Sequence, residues 1–208
     1  MEQVPSFSGI WRPLVSLLLA SLIVMGSPGP STMSVTAFGA AFGFRRSLAY
    51  LAGIVLGTTA VLVAVSAGVV SMLMSLPRLA PVLVGASAAY IAYLAFKIAT
   101  APPLSRQNRE LGAPSFAGGY LLAVANPKAY LAIAAVFAGT KLALESRMIE
   151  AIVKTAVLTI MIVVIHLCWL TVGVSFSRLL HHPVSSRIVN LLFAAILIVT
   201  TIITIAHD

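Results

Sequence analysis

Charge is what this 208-residue sequence has least of: Asp, Glu, Lys and Arg make up 9% of it, against about 25% in an average soluble domain. With 13 basic and 5 acidic side chains, it cannot cover the surface of a water-soluble fold. Cysteine is nearly absent as well. The lone Cys168 excludes a disulfide scaffold. With no cysteine, histidine or acid at ligand spacing around it, no metal site is expected. No Ser/His/Asp set, carboxylate pair, phosphate-cradling glycine loop or cofactor motif occurs. The chain therefore reads as a non-enzyme without a cofactor. Aromatics are 8% and do not alternate with bases, so the net charge of +8 is no sign of nucleic-acid binding.

What is abundant is hydrocarbon. Hydrophobic residues make up 60% of the chain and the mean hydropathy is +1.07. Disordered chains are poor in such residues, so the class left is an integral membrane protein made of helices. Charges punctuate the apolar runs. None falls between Arg12 and Arg45 or between Arg46 and Arg78. A span needs about 20 mainly apolar residues, which divides the chain into six transmembrane helices at about 13–38, 47–73, 79–100, 116–140, 149–176 and 185–206. The polar connection 101–114 separates two halves, about 10–100 and 115–208, of one transmembrane domain. Leu14–Met25 reads as membrane helix and not as a cleaved signal, because the only positive charge ahead of it is Arg12.

The bases suggest an orientation. Arg45, Arg46, Lys97, Arg106, Arg109, Arg178 and Arg187 lie on one side, and Arg12, Arg78, Lys141, Arg147 and Lys154 on the other. The richer side is expected to be cytoplasmic, with both termini outside. None of the five acids is expected at depth.

Two helices look broken. Gly26-Ser27-Pro28-Gly29-Pro30-Ser31-Thr32 sits inside the first span. Its prolines remove two amide donors and clash with the preceding turn. Asn126-Pro127-Lys128 interrupts the fourth span, with Pro127 99 residues after Pro28. Each half thus has three spans and a break in its first. An odd number of spans per half inverts the second half, which predicts an inverted-topology repeat. Secondary transporters hold substrate between such discontinuous helices.

These motifs carry a family resemblance. Gly26–Thr32 with its Pro28-Gly29-Pro30, followed by Arg45-Arg46 and Gly53-x-x-x-Gly57, resembles the first half of the LysE/RhtB amino-acid exporters. Asn126-Pro127-Lys128-Ala129 is similar to the Asn-Pro-Lys-Ala motif of that family's fourth span, and Trp169-Leu170, Arg178-Leu179-Leu180, Arg187 and Asn190 also fit. The resemblance covers about 20–206. It implies a six-helix bacterial inner-membrane exporter of amino acids or related solutes, driven by the proton gradient. Ser31 and Thr58 stand where the family often has Asp or Asn, and Asp. Both changes argue against a cationic substrate and against proton coupling through a carboxylate.

The residues expected to bind substrate are Ser27, Pro28, Gly29, Pro30, Ser31, Thr32, Thr58, Asn126, Pro127 and Lys128. Ser27, Ser31 and Thr32 are also candidates to cap a half-helix starting near Pro30, and Asn126 the other one. Lys128 is the one charge expected at mid-membrane depth, where an unpaired ion costs a few kcal/mol. Its expected partners are carbonyls freed by the prolines, water or a substrate carboxylate. A substrate ammonium would use unwound carbonyls, Asn126 or hydroxyls. Lys128 and His166 are the candidates for coupling; a lone histidine in a span otherwise bonds a carbonyl. Gly39-x-x-x-Gly43, Gly53-x-x-x-Gly57, Ala64/Gly68 and Ala135/Gly139 read as packing motifs and leave a homodimer open. A scaffold of the same fold, or a small-solute channel, is the alternative to an exporter.

Overall fold

The computed structural model describes residues 8–68, 115–142, 144 and 146–175, with separate positions between 85 and 100 and between 184 and 202. Most of the expected third and sixth spans and the whole of the 101–114 connection lie outside the described residues.

All described elements are helices. They are α1 (Ser8–Ala20), prolonged by a π-helical turn Ser21–Met25, then α2 (Pro30–Ser66), α3 (Phe116–Ala125), α4 (Pro127–Gly139) and α5 (Arg147–Ser175). Both α2 and α5 are long and apolar enough to cross a membrane, and α3 with α4 qualifies as one span bent by 62°. Rows of exposed apolar side chains, among them Trp11, Leu19, Ile23, Leu56, Ile152 and Ile160, suit a lipid surround.

A straight helix of 37 residues would run about 55 Å, nearly twice a hydrocarbon core of about 30 Å. Instead α2 folds back at Gly43, whose φ of 74° lies in the left-handed region. The Phe38 and Tyr50 rings meet at 4.5 Å between centroids, although 12 positions separate them. The Ser47 hydroxyl shares its one proton between the carbonyls of Gly43 (2.8 Å) and Phe38 (3.0 Å) and ties off the reversal. Gly43 is thus a turn, not a packing glycine as expected. Arg45 and Arg46 are exposed beside it, with the Arg46 guanidinium 5.7 Å from the Phe42 ring centroid.

The two arms of α2 have different neighbours. The first packs on α5, where a Cβ on Gly39 would stand 2.8 Å from Leu170 and one on Gly173 would strike the Thr36 backbone. The second packs on α3, where Gly53 faces Phe116, Gly57 faces Tyr120 and Ala123, and Gly119 faces Tyr50. Such bare contacts let backbones approach where no hydrophobic force drives helix association. Ile54, Leu122 and Leu170 are fully buried in one core cluster, which Ile91, Ala95 and Ala194 join. Leu17, Leu62, Leu158 and Ile162 centre a second.

Two further expectations fail. Lys154, expected among the loop bases, lies buried on α5, and Glu150 lies on its first turn. They pair at 2.7 Å across one helical turn, the spacing at which opposite charges on a helix meet. The Lys154 ammonium also donates to the Phe137 carbonyl at 3.1 Å and lies 5.1 Å from that ring's centroid. Ser27 and Ser31 do not cap α2. Its N-cap is Gly29, and Thr32 reaches back to accept from the Gly29 amide at 2.9 Å.

Candidate functional site

Proline dictates both breaks. Pro30 and Pro127 each open a helix, the position at which the missing N–H costs nothing. Before Pro30 the chain is non-helical from Gly26 to Gly29, so several carbonyls lose their helical partners. Before Pro127 only Asn126 leaves the helix, with φ −81° and ψ 105°, and its side chain accepts from the Lys128 amide at 3.2 Å. Asn126 therefore caps α4 as expected.

The breaks meet through side chains of the second. Lys128 Nζ donates to Ser27 O at 2.6 Å, Ser27 Oγ at 2.7 Å and Pro28 O at 2.7 Å. The Ser27 hydroxyl spends its own proton on Val24 O at 2.8 Å, which leaves its oxygen free to accept. Three acceptors use all three protons of an ammonium. Asn126 Nδ2 donates to Ser31 Oγ at 2.9 Å. Gly29 makes room: a Cβ there would lie 2.6 Å from Lys128 Cδ and 2.9 Å from Nζ. The indole of Trp169 on α5 donates to Gly26 O at 3.0 Å, a staple on the first break that spacing did not reveal.

These residues surround a cavity of about 40 Å3. Ser27, Gly29, Ser31, Thr32, Thr58, Asn126, Lys128 and His166 line it, with Met25, Ala129, Ala132, Ile133, Ile162 and Ile165 as its apolar wall. Of the residues singled out in the sequence, Pro28, Pro30 and Pro127 shape the breaks without lining the cavity. Thr58 is buried from the second arm of α2, and its hydroxyl has no hydrogen-bond partner. His166 is buried on α5 and directs Nδ1 at the carbonyl of Ile162 one turn back, at 2.7 Å. Lys128 and His166 are the titratable groups among the lining residues, and no carboxylate is one of them. The N-terminal ends of α2 and α4 both reach the cavity, and such ends carry partial positive charge. The chamber is thus electropositive around Lys128 and apolar along α4 and α5.

Comparison with known proteins points the same way. The family model described as LysE type translocator matches residues 22–205. The cysteine/O-acetylserine efflux protein of Escherichia coli O139:H28 (strain E24377A / ETEC) is 30% identical over 180 residues, 86% of this chain and 90% of the relative. The proteins of that name from Escherichia coli K12 and Shigella sonnei (strain Ss046) are each 29% identical over 180 residues, again 86% of this chain and 90% of the relative. No solved structure gave a significant match. The match runs across both broken helices and all but the ends of the chain, and places it among transporters, not enzymes: the chain belongs to the LysE type translocator family.

Proposed function

We propose that this membrane exporter carries small amino acids or related metabolites out of the bacterial cytoplasm, with the solute held between the two broken helices. One observation carries the reading. Lys128 is a half-buried cation surrounded by neutral oxygens, and among the described residues no acidic one lines its cavity. A cation removed from water seeks an anion, and the anion this chamber lacks is a substrate carboxylate. The ends of α2 and α4 add to that preference. The relatives named for cysteine and O-acetylserine efflux make those two solutes the first to test.

A carboxylate that binds Lys128 must take the place of at least one of its three acceptors. In an alternating-access cycle the two halves rock about the breaks while Lys128 changes partners between main chain and carboxylate. Proton coupling falls to the titratable lining groups, Lys128 and His166. The exposed Arg45 and Arg46 beside the Gly43 turn favour a cytoplasmic position for that turn and an external one for the termini.

The test is counterflow of labelled O-acetyl-L-serine and L-cysteine in proteoliposomes holding the full chain, with and without a proton gradient. Uptake of at least one solute that is lost in Lys128→Met supports the proposal. Unchanged uptake in Lys128→Met sinks the assigned role of the lysine. No uptake of either solute or of any other amino acid in a panel sinks export.

A further inference from the structure

The zwitterion proposed above has a second charge to satisfy, and the breaks are a poor place for it. Their carbonyls already hold donors: Gly26 O the Trp169 indole, Ser27 O and Pro28 O the Lys128 ammonium, and Gly29 O the Met33 amide at 2.8 Å and the Thr32 hydroxyl at 3.1 Å. The Asn126 side-chain oxygen holds the Lys128 amide, and its nitrogen is a donor pointed at Ser31. A substrate ammonium placed there would also face the lysine's own positive charge. The carbonyls and Asn126 expected as acceptors thus already hold donors beside a cation, which turns attention to the hydroxyls and to the rest of the cavity wall.

Two acceptors on the cavity wall hold no donor among the described residues, and both lie away from the breaks. Thr58 Oγ1 is buried without a partner, and a buried hydroxyl left unpaired costs free energy that a bound donor would recover. His166 supplies the other. A backbone carbonyl only accepts, so the contact of Nδ1 with Ile162 O at 2.7 Å puts the ring proton on Nδ1. The neutral imidazole then offers Nε2 as a lone-pair acceptor. Thr58 comes from the second arm of α2 and His166 from α5, and the apolar wall of Ala132, Ile133, Ile162 and Ile165 lies in the same cavity.

We infer that Thr58 Oγ1 and His166 Nε2 are the acceptor pair for the α-ammonium of the substrate. On this assignment Lys128 takes the carboxylate, and the Ile/Ala wall takes a short uncharged side chain. The specificity is for α-amino acids with a free amino group. An N-acylated acid satisfies Lys128 and leaves the acceptor pair unserved. A cationic side chain finds no carboxylate. The inference rests on the carboxylate reading of Lys128, and the experiment separates the two.

Purified full-length protein in detergent is titrated with two isomers, O-acetyl-L-serine and N-acetyl-L-serine. They share the carboxylate, and only the first has the ammonium. Wild type should bind the O-acetyl isomer at least about tenfold more tightly, the worth of a hydrogen bond to a charged group. Thr58→Val keeps the shape and removes the hydroxyl. His166→Phe keeps a flat ring and removes the acceptor, while Ile162 O keeps its helical amide. Each should weaken O-acetyl-L-serine about tenfold and leave N-acetyl-L-serine within about twofold. Equal binding of the isomers by wild type, or an undiminished preference in both variants, overturns the acceptor pair while Lys128 keeps its role. A fall of both isomers together in these variants also overturns it, as damage to the fold. Lys128→Met should lose both isomers. If it binds them as wild type does, or if wild type binds neither, the carboxylate reading fails and the acceptor pair with it.

Discussion

Two lysines among the described residues are drawn out of water, and their surroundings differ in one respect. Lys154 has a carboxylate, Glu150 at 2.7 Å, together with the Phe137 carbonyl and ring. Its charge is balanced by the protein, and it ties the end of α4 to the start of α5. Lys128 has three oxygens as close, all neutral. Its hydrogen bonds are complete while its charge is not. Full hydrogen bonding with missing counter-charge is what a site for a transient anion needs. It holds its shape when empty, and a carboxylate can still displace a carbonyl. On the proposed reading the first lysine is a fastener and the second a receptor, although both are cations on helices of one half of the chain.

Removing each charge gives the widest separation. Lys128→Met should lower export by about ten- to a hundredfold, the range expected when a charged hydrogen bond is lost. The protein should still reach the membrane. Lys154→Met should leave export per folded molecule within about twofold and cost about 1–3 kcal/mol of stability, since the Phe137 carbonyl and Glu150 lose their partner. Efflux normalised to folded protein, with thermal unfolding in detergent beside it, reads both effects. An export defect in Lys154→Met equal to that of Lys128→Met would erase the distinction.

Glycine offers a subtler way in. The φ of Gly29 is −174°, extended backbone open to any residue, so Gly29→Ala acts by contact alone. Its methyl would lie 2.6 Å from Lys128 Cδ and must push the ammonium off at least one of its three acceptors. Export should fall about tenfold, one charged hydrogen bond's worth. The double variant Gly29→Ala/Lys128→Met should be no worse than Lys128→Met, because both act through one group. Additive losses would mean that Gly29 matters for something other than seating the lysine.

How much of this was written in the sequence depends on how local the cause is. Both breaks were legible, because a proline lacks its N–H wherever the chain goes. The Asn126 cap was legible for the same reason. The role of Gly43 was not: Gly39-x-x-x-Gly43 and Gly53-x-x-x-Gly57 look alike as strings, and only the reversal of the chain makes one a turn and the other a contact. The place of Lys154 is legible only through Glu150 four residues earlier, the spacing of a helical ion pair; position along the chain alone puts it with the loop bases. That the partners of Lys128 are proline-freed carbonyls was one of three readings left open. The reach of Trp169 to Gly26, and the placing of His166 and Thr58 in one cavity with Lys128, depend on how α5 and the second arm of α2 pack. No single-chain periodicity encodes that. Thr58 was picked out through the family resemblance, and not for its unpartnered hydroxyl.

The smallest expected effect tests what holds the receptor in shape. Trp169 donates to Gly26 O at 3.0 Å and so ties α5 to the near side of the first break; beyond the break, the single proton of the Thr36 hydroxyl is shared between Thr32 O at 2.8 Å and the Trp169 carbonyl at 3.2 Å. Trp169→Phe removes the indole donor and keeps an aromatic ring. One neutral hydrogen bond is worth about 0.5–1.5 kcal/mol. For a chain of this size that lowers the melting temperature by about 1–6 °C. Export should stay within about threefold of wild type, because the three contacts of Lys128 still span the break. If Trp169→Phe abolishes export while the protein stays folded, the break is positioned from α5, and Lys128 is left to bind substrate without also holding the helices together.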